Sequence, residues 1–296
     1  MLYIGSHVSY LKDKQLVGVV EESLSYGSNI FMFYTGSNQS TLRFPVREDL
    51  TSKAHQMMLE NGIDKSKCIV HAPFIINLAN YGEDDSKFDF YTSFFKQELE
   101  RCIELDIRNI VLHPGSFTNL SREEGIKNIA RGLNFVLKDI EGMNVLLEYM
   151  SGKGTEVGSS IDDLKGIIDL LDEDVKKKVF VCLDTCHIND SGVEIGEFDK
   201  FLDEFDSKIG LSKVKCVHIN DSYNGVGSHK DRHANFGYGT IGFDKLIDVI
   251  YNPRLSDIPM ILETPWVNRN DKDSWAPYKY EIENIRNKKF IDYINQ

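Results

Sequence analysis

The sequence predicts an α/β protein that folds as a (β/α)8 TIM barrel. Three observations support this: eight short apolar segments, helical periodicity between them, and an alternation of the two that runs unbroken over 296 residues. Strands that are apolar throughout, rather than alternating, are typical of a parallel sheet buried on both faces. Barrels of this kind commonly use about 250 residues as one domain. We therefore expect residues 1–296 to form a single barrel domain with its active site on loops at the C-terminal ends of the strands.

The predicted strands are short and rich in β-branched residues. They are, in order, Tyr3–His7, Asn29–Tyr34, Lys67–His71, Asn109–His113, Asn144–Glu148, Val179–Asp184, Val214–His218 and Met260–Glu263. The clearest helical stretches between and after them are Phe88–Leu105, Arg122–Ile140, Ile161–Leu171, Phe243–Tyr251 and Tyr278–Tyr293. An open doubly wound sheet fits fewer strands, and no Gly-x-Gly-x-x-Gly motif opens a helix here.

Composition restricts the possible functions. Lys and Arg total 34 against 46 Asp and Glu, so the net charge is −12, which argues against a general nucleic-acid binder with a broad basic face. No apolar run approaches the roughly 20 residues that a membrane helix needs, and Met1–His7 lacks the pattern of a secretory signal. Five cysteines without a Cys-x-x-Cys pair indicate buried reduced thiols. We expect a cytoplasmic protein with no membrane association and no obligate protein partner.

Six successive predicted strands end with a histidine or a carboxylate. These residues are His71, His113, Glu148, Asp184, His218 and Glu263. In a barrel the C-terminal ends of the strands converge on one rim, where active sites form. Grouped carboxylates repel one another, a conflict that a cation removes, and His with Asp or Glu is a typical zinc ligand set. One polar residue at a strand end needs no metal, but six in succession predict a metal site.

Three further donors extend this set. His187 follows the sixth strand, and Asp231 and His233 flank Arg232 in the loop after the seventh. If this loop is extended, Asp231 and His233 point to one side and Arg232 to the other. At about three or four protein ligands for each catalytic zinc, nine donors suit two or three metal ions.

The motifs that carry these donors resemble those of the endonuclease IV family of apurinic/apyrimidinic endonucleases. The matching segments span almost the whole chain; they are Ile4–Ser9, His113–Ser116, Cys182–His187, His218–Ser222, Asp231–His233, Gly239–Gly242 and Leu262–Pro265. The resemblance implies three Zn²⁺ ions per chain. Their implied ligand sets are His71, His113 and Glu148; then Glu148, Asp184, His218 and Glu263, with Glu148 as a bridge; and then His187, Asp231 and His233.

The same resemblance implies an activity. The protein is expected to hydrolyse the phosphodiester on the 5′ side of an abasic site in duplex DNA, leaving a 3′-hydroxyl and a 5′-deoxyribose phosphate. It is also expected to trim blocked 3′ ends as a 3′-phosphatase and phosphodiesterase. Glu148 and Glu263 are the implied catalytic residues, acting with a zinc-bound hydroxide, because zinc lowers the pKa of bound water to about 7. The three ions add positive charge at the rim, so an acidic protein can still bind DNA there.

Several side chains are predicted to contact DNA. Phe74 and Ile75, after the third strand, can enter the base stack, since an apolar wedge holds a duplex in a kinked form. Lys230 and Arg232 are predicted phosphate contacts. Cations in other loops are weaker candidates for that role; they are Lys153, His229, Arg269 and Lys272. The arginine that some family members insert from the loop after the second strand has no clear equivalent, and Arg43 is the candidate replacement.

Two positions depart from the family pattern. Tyr149 follows Glu148 where an asparagine is usual, and Tyr238 stands where a glutamate is usual. Neither is an implied ligand, so the departures concern the groups that orient the ligands.

Two other interpretations remain open. A metal-dependent sugar isomerase or epimerase can use a similar barrel, but such enzymes work with one or two metals and have no need for a third donor set. A non-catalytic module that binds damaged DNA would not need zinc with open coordination positions. Loss of incision without loss of binding in a Glu263→Gln variant would favour an enzyme.

Overall fold

The structure is a computed structural model that describes residues 1–81, 84–268 and 273–295. Its central feature is one sheet of eight strands, which are all parallel to their neighbours. The strands are β1 (Ile4–Ser6), β2 (Met32–Phe33), β3 (Ile69–His71), β4 (Asn109–Leu112), β5 (Asn144–Glu148), β6 (Val179–Asp184), β7 (Val214–His218) and β8 (Met260–Leu262).

The sheet closes on itself. Its strand order is β1-β8-β7-β6-β5-β4-β3-β2, and a parallel bridge between His7 and Met32 links β1 to β2. The predicted (β/α)8 barrel is therefore confirmed. The first two strands are shorter than predicted. Ile30 and Phe31, just before β2, are still buried, and Phe31 O accepts a hydrogen bond from Ile69 N.

Helices follow the strands and pack on one another. Those within the described residues are α1 (Gln15–Ser25), α2 (Glu48–Glu60), α3 (Asp85–Leu105), α4 (Arg122–Leu137), α5 (Ile161–Asp169), α6 (Glu173–Lys176), α7 (Thr185–Ser191), α8 (Phe198–Lys208), α9 (Phe243–Ile250) and α10 (Tyr278–Asn287). The five predicted helical stretches overlap α3, α4, α5, α9 and α10. The last was predicted to reach Tyr293, but α10 ends at Asn287, because Lys288 adopts a left-handed backbone conformation. No helix in the described ranges is both long and apolar enough to cross a lipid bilayer.

The register of the strands positions the polar residues at the rim. Asp184 at the end of β6 pairs with His218 at the end of β7, which in turn pairs with Ile261 in β8. Side chains along β5, β6 and β7 are buried except those of Asn144, Phe180 and Lys215, which are partly exposed, so the strands form a largely apolar support. The donor residues therefore stand at equivalent positions at the ends of neighbouring strands, and their side chains lie close together.

Candidate metal centre

The structure gathers histidines and carboxylates into three groups at the C-terminal rim. Within each group the potential ligand atoms lie within 4.8 Å of one another. The groups are His71, His113 and Glu148; Glu148, Asp184, His218 and Glu263; and His187, Asp231 and His233. Each of the nine residues that the sequence analysis selected as a donor belongs to at least one group.

Glu148 ends β5 and is buried between the first two groups. Its Oε2 lies 3.3 Å from His71 Nε2 and 3.0 Å from His113 Nε2. Its Oε1 lies 3.2 Å from His218 Nδ1 and 3.3 Å from His187 Nδ1. One carboxylate thus faces two imidazoles with each oxygen, an arrangement that suits a ligand shared by two ions.

Main-chain carbonyls orient three of the imidazoles. In His71, His187 and His233 the Nδ1 atom lies 2.8, 2.9 and 3.3 Å, respectively, from a carbonyl oxygen. A carbonyl only accepts hydrogen bonds, so Nδ1 is the donor and Nε2 is the nitrogen left to face a metal ion. Metal-bound histidines are commonly held in this way.

The Nε2 atoms point at carboxylates instead of at donors. His187 Nε2 lies 3.0 Å and His233 Nε2 3.4 Å from Asp231 Oδ1. His233 Nε2 is buried and has no hydrogen-bond partner among the described residues, although Asp184 Oδ2 is 3.8 Å away. A lone pair that faces an ionised carboxylate needs a cation or proton between them. The donor set therefore fits bound metal ions.

The grouped charges also shift the pKa values of the site. Burial acts to lower the pKa of His187, but the surrounding carboxylates, Asp184 first, outweigh it and hold the pKa well above its usual value. Burial acts to raise the pKa of Asp231, yet the hydrogen bond from His187 lowers it to about 2. Burial likewise opposes ionisation of Glu148, and the imidazoles of His113 and His218 still hold its pKa well below its usual range. These carboxylates are ionised at neutral pH.

The loop that carries Asp231 differs from the prediction. His229 and Asp231 have φ angles of 54° and 53°, so the loop is not extended and the alternation argument for Asp231 and His233 is wrong. A tight turn held by Asp190 replaces the extended segment, because His229 N donates to Asp190 O and Asp231 N donates to Asp190 Oδ2. This turn brings Asp231 to His187.

Sequence reasoning missed the polar residues that hold the donors. Asn220 Nδ2 donates to Asp184 Oδ2 at 2.7 Å, and Asn220 Oδ1 accepts a hydrogen bond from Glu263 N at 2.9 Å. Asp221 accepts hydrogen bonds from the backbone N–H groups of Gly239 and Ile241. The signal was present: both residues continue the polar run after His218 in a chain segment that is otherwise apolar.

Gly239 shows how tightly this loop is packed. A Cβ atom at this position would lie 2.3 Å from Ser222 O and 2.4 Å from Asp221 Oδ1. Only glycine fits at this position, because any side chain would collide with the backbone of Ser222 and the carboxylate of Asp221.

The two departures from the family pattern have structural roles. Tyr149 is buried, and its carbonyl oxygen accepts the hydrogen bond from His187 Nδ1, a contact that any residue type can provide. Tyr238 OH donates to Asp292 Oδ1 at 2.6 Å and accepts a hydrogen bond from Tyr293 N. Tyr238 therefore fastens the C-terminal segment to the loop that contains Gly239.

Arg43 is not available to DNA. Its Nε lies 2.7 Å from Glu98 Oε1, and the two side chains are 3% and 0% exposed. The prediction that Arg43 replaces an inserted arginine is therefore wrong, because its guanidinium is committed to a buried ion pair. The neighbouring Leu42 is 82% exposed.

The other predicted DNA contacts lie in different surroundings. Phe74 is 49% exposed, with its ring centroid 4.9 Å from that of His113, whereas Ile75 is half-buried against the core. Lys230 and Arg232 are exposed, as are Lys153 and His229. Arg269 and Lys272 lie outside the described residues.

A cavity of about 280 Å³ opens at the rim beside the three groups. Seven of the donors line it, together with His7, Tyr34, Phe74 and Tyr278. The fold and this cavity define a TIM-barrel protein with a candidate multinuclear metal centre.

Comparison with known proteins identifies the family. A family described as xylose isomerase-like TIM barrel matches residues 20–288. The probable endonuclease 4 of Enterococcus faecalis is 46% identical over 290 residues, which cover 98% of this chain and 96% of that protein. Endonuclease IV from Thermus thermophilus superposes with a TM-score of 0.79 at 27% identity, over 96% of this chain and 98% of that one. The chain belongs to the endonuclease IV family, as its motifs predict.

More distant structures share the fold alone. A D-tagatose 3-epimerase-like protein superposes with a TM-score of 0.67 at 19% identity. The barrel alone therefore does not distinguish an endonuclease from a sugar epimerase, and the distinction depends on the metal-ligand residues.

Proposed function

We propose that this chain is a zinc-dependent DNA-repair endonuclease that cuts duplex DNA on the 5′ side of abasic sites. The products are a 3′-hydroxyl and a 5′-deoxyribose phosphate, and the same site removes groups that block 3′ ends. Membership of the endonuclease IV family supports DNA cleavage by hydrolysis. The observation that carries the finer proposal is the position of Glu148, whose two oxygens face four imidazoles.

Zinc suits this donor set, because the three groups offer imidazole and carboxylate ligands, both of which Zn²⁺ binds in catalytic sites. The proposed ligands are the members of those groups, with Glu148 shared between the first two. When bound, the ions supply Lewis acidity to the phosphate and lower the pKa of the attacking water.

The chain's own residues position the reaction. Glu148 and Glu263 are the proposed catalytic residues, and they approach His218 Nδ1 from two strands, at 3.2 and 3.0 Å. Both line the cavity, but Glu148 is buried, whereas the side chain of Glu263 is 16% exposed. Glu263 therefore faces the side from which a phosphate enters, and Glu148 fixes the spacing of the groups beneath it.

The rim offers a docking surface for DNA. An abasic nucleotide has no base to stack or pair, so its extrusion costs less than the few kcal/mol that a normal nucleotide requires. The exposed ring of Phe74 rests on His113 at the cavity mouth and can fill the gap, with Ile75 behind it. Lys230 and Arg232, both exposed, are the proposed phosphate contacts.

A sugar isomerase or epimerase is not favoured. The third donor group draws on His187 and the Asp231–His233 loop rather than on β5 or β8, and a site with one or two metals does not require it.

Incision of a duplex that carries one tetrahydrofuran abasic analogue tests the proposal. We expect a single cut 5′ to the analogue, abolished by a chelator and restored by zinc, while the matched undamaged duplex stays intact. Chelator-resistant cutting would count against the proposal, as would an uncut duplex in the presence of fully metallated protein.

A further inference from the structure

Two chain segments that carry proposed ligands lie side by side at the rim. One follows β8 and contains Glu263, and the other follows β7 and contains His233. Two hydrogen bonds join them, since His233 Nδ1 donates to Glu263 O at 3.3 Å and Asn235 Nδ2 donates to Pro265 O at 2.7 Å. Because Glu263 belongs to the second donor group and His233 to the third, this junction sets how the two groups lie relative to each other.

Glu281 of α10 contacts both segments. Its Oε2 accepts a hydrogen bond from Thr264 Oγ1 at 2.5 Å, and its Oε1 accepts one from Phe236 N at 2.9 Å. Thr264 is the residue after Glu263, and Phe236 lies three residues after His233. One carboxylate therefore holds both ligand-bearing segments against the same helix.

The first turns of α10 form the support for this contact. Tyr278 and Glu281 are three residues apart, so they lie on the same face of the helix, and both are buried together with Ile282 and Ile285. Tyr278 OH donates a hydrogen bond to Thr264 O at 3.1 Å. Thr264 is thus held at its hydroxyl and at its carbonyl oxygen by one helix, which packs on β1. A ligand supported from a regular element keeps its position better than one supported from a loop.

The Glu281 carboxylate is buried without a counter-charge. The residue is 0% exposed, and no cation among the described residues forms an ion pair with it. Tyr293 OH donates a third hydrogen bond to it at 2.7 Å. Burial of a carboxylate that only neutral groups contact costs free energy, so it is a poor source of stability. A buried polar network with satisfied members does, however, fix one arrangement of the chain, and here that arrangement includes the two ligand-bearing segments.

We propose that Glu281 is a positioning residue that fixes Glu263 and His233 relative to each other and so sets the spacing of the second and third metal sites. The inference rests on the proposed function. Glu281 does not line the cavity, so it acts through Thr264 and Phe236. Metal ions that act together on one phosphate need a constant separation, and the contacts of Glu281 supply it from the protein side.

A matched pair of variants tests this role, since Thr264→Val and Tyr293→Phe each delete one hydroxyl that donates to Glu281. Only Thr264 lies beside a proposed ligand. We expect Thr264→Val to weaken zinc binding about tenfold, as for other groups that orient metal ligands, and Tyr293→Phe to weaken it by less than about twofold. Titration of chelator-treated protein with zinc against a competing chelator measures the affinity without reference to activity. The zinc concentration that gives half-maximal incision should rise by the same factor.

Substitution of Glu281 itself separates its position from its charge. In Glu281→Gln, Oε1 still accepts a hydrogen bond from Phe236 N, and the amide group can donate to the Thr264 hydroxyl, which accepts as well as donates. We expect this variant to keep the wild-type zinc affinity to within about threefold, whereas Glu281→Ala, which loses every contact, should lose at least about tenfold. Glu283→Gln, at an exposed position of the same helix, should match the wild type.

Melting temperatures of the metal-free variants separate positioning from a merely structural role. A structural network would lower the melting temperatures of both hydroxyl deletions and leave their zinc affinities alike. Equal affinities of Thr264→Val and Tyr293→Phe would therefore overturn the proposal, as would a Glu281→Ala protein with wild-type affinity. If Glu281→Ala does not fold, the two hydroxyl deletions still test the role. A wild type that binds zinc yet leaves the tetrahydrofuran duplex uncut refutes the proposed function instead, so the two failures are distinguishable.

Discussion

Glu148 is the residue on which the candidate centre most depends. Glu148 is 1% exposed. Among the described residues, it is the only one that belongs to both of the first two donor groups. Its ionised form is held by imidazoles on both sides, and those imidazoles are placed by strands that are distant in sequence. Removal of its charge should therefore disturb both groups at once.

Glu148→Gln keeps the shape of the side chain and removes its charge. We expect the variant to lose bound metal and at least about a hundredfold in incision rate, more than the loss of a group that only orients a ligand. Elemental analysis and an incision assay on the same sample measure both. Glu141→Gln, at a side chain that is 84% exposed, is the control. A Glu148→Gln protein with full metal content and full rate would contradict the assignment.

Asn220 links two ligands from different strands. Asn220→Ala leaves Asp184 without its 2.7 Å hydrogen bond and frees the backbone of Glu263. We expect zinc affinity to fall by about 10- to 100-fold, as for other groups that orient metal ligands, with little change in the fold. Titration against a competing chelator gives the affinity, with the exposed Asn61→Ala as control. An unchanged affinity would show that Asp184 holds its position without this contact.

The sequence predicted the metal-ligand residues better than the residues that hold those ligands in position. His71, His113 and Glu148 stand at the ends of apolar runs, where a polar residue is conspicuous. Asp190 acts through backbone groups of a loop some 40 residues later in the chain, and nothing in the local sequence marks such a contact.

At the scale of elements, strands were easier to predict than helices. β5, β6 and β7 begin and end where their apolar runs do. α7 was missed because residues 185–190 are all buried. The helix has no exposed polar face, so its sequence lacks the alternation of polar and apolar residues that marks a surface helix. Asp184 instead starts this helix by accepting the N–H of His187 at 2.8 Å. α2 was missed for the opposite reason, since only three of its side chains are buried.

The loop after β2 is held by the ion pair between Arg43 and Glu98, which are 55 residues apart in the sequence. Arg43→Met leaves Glu98 buried without its ion-pair partner, and we expect a loss of about 3–5 kcal/mol in the free energy of unfolding. Urea denaturation measures it. Arg47→Met is the control, because Arg47 and Asp49 form an exposed pair. Unchanged stability together with weaker DNA binding would instead restore Arg43 as a DNA contact.

At the scale of the whole molecule, the fold was predictable because eight buried parallel strands leave few alternatives to a closed barrel. The net charge of −12 was the main objection to a DNA substrate. The three donor groups answer it, since divalent ions at the rim would give an acidic protein one local positive region.

This explanation predicts that DNA affinity depends on bound metal. At constant ionic strength, chelator-treated protein should bind an abasic duplex at least about tenfold more weakly than metallated protein, because the negative surface then repels the phosphates. Fluorescence anisotropy measures both affinities. Lys230→Gln should weaken binding modestly in either state. Equal affinities with and without metal would show that the metal ions do not supply the positive charge that attracts DNA.

The central claim is that imidazoles and carboxylates converge at the mouth of the barrel because several divalent ions lie among them. Elemental analysis of the purified protein, coupled to incision of the tetrahydrofuran duplex by the same sample, tests it most directly. We predict about three zinc ions per chain, three to four protein ligands each, lost together with incision during chelation. Full incision by protein that holds one ion or fewer would contradict it.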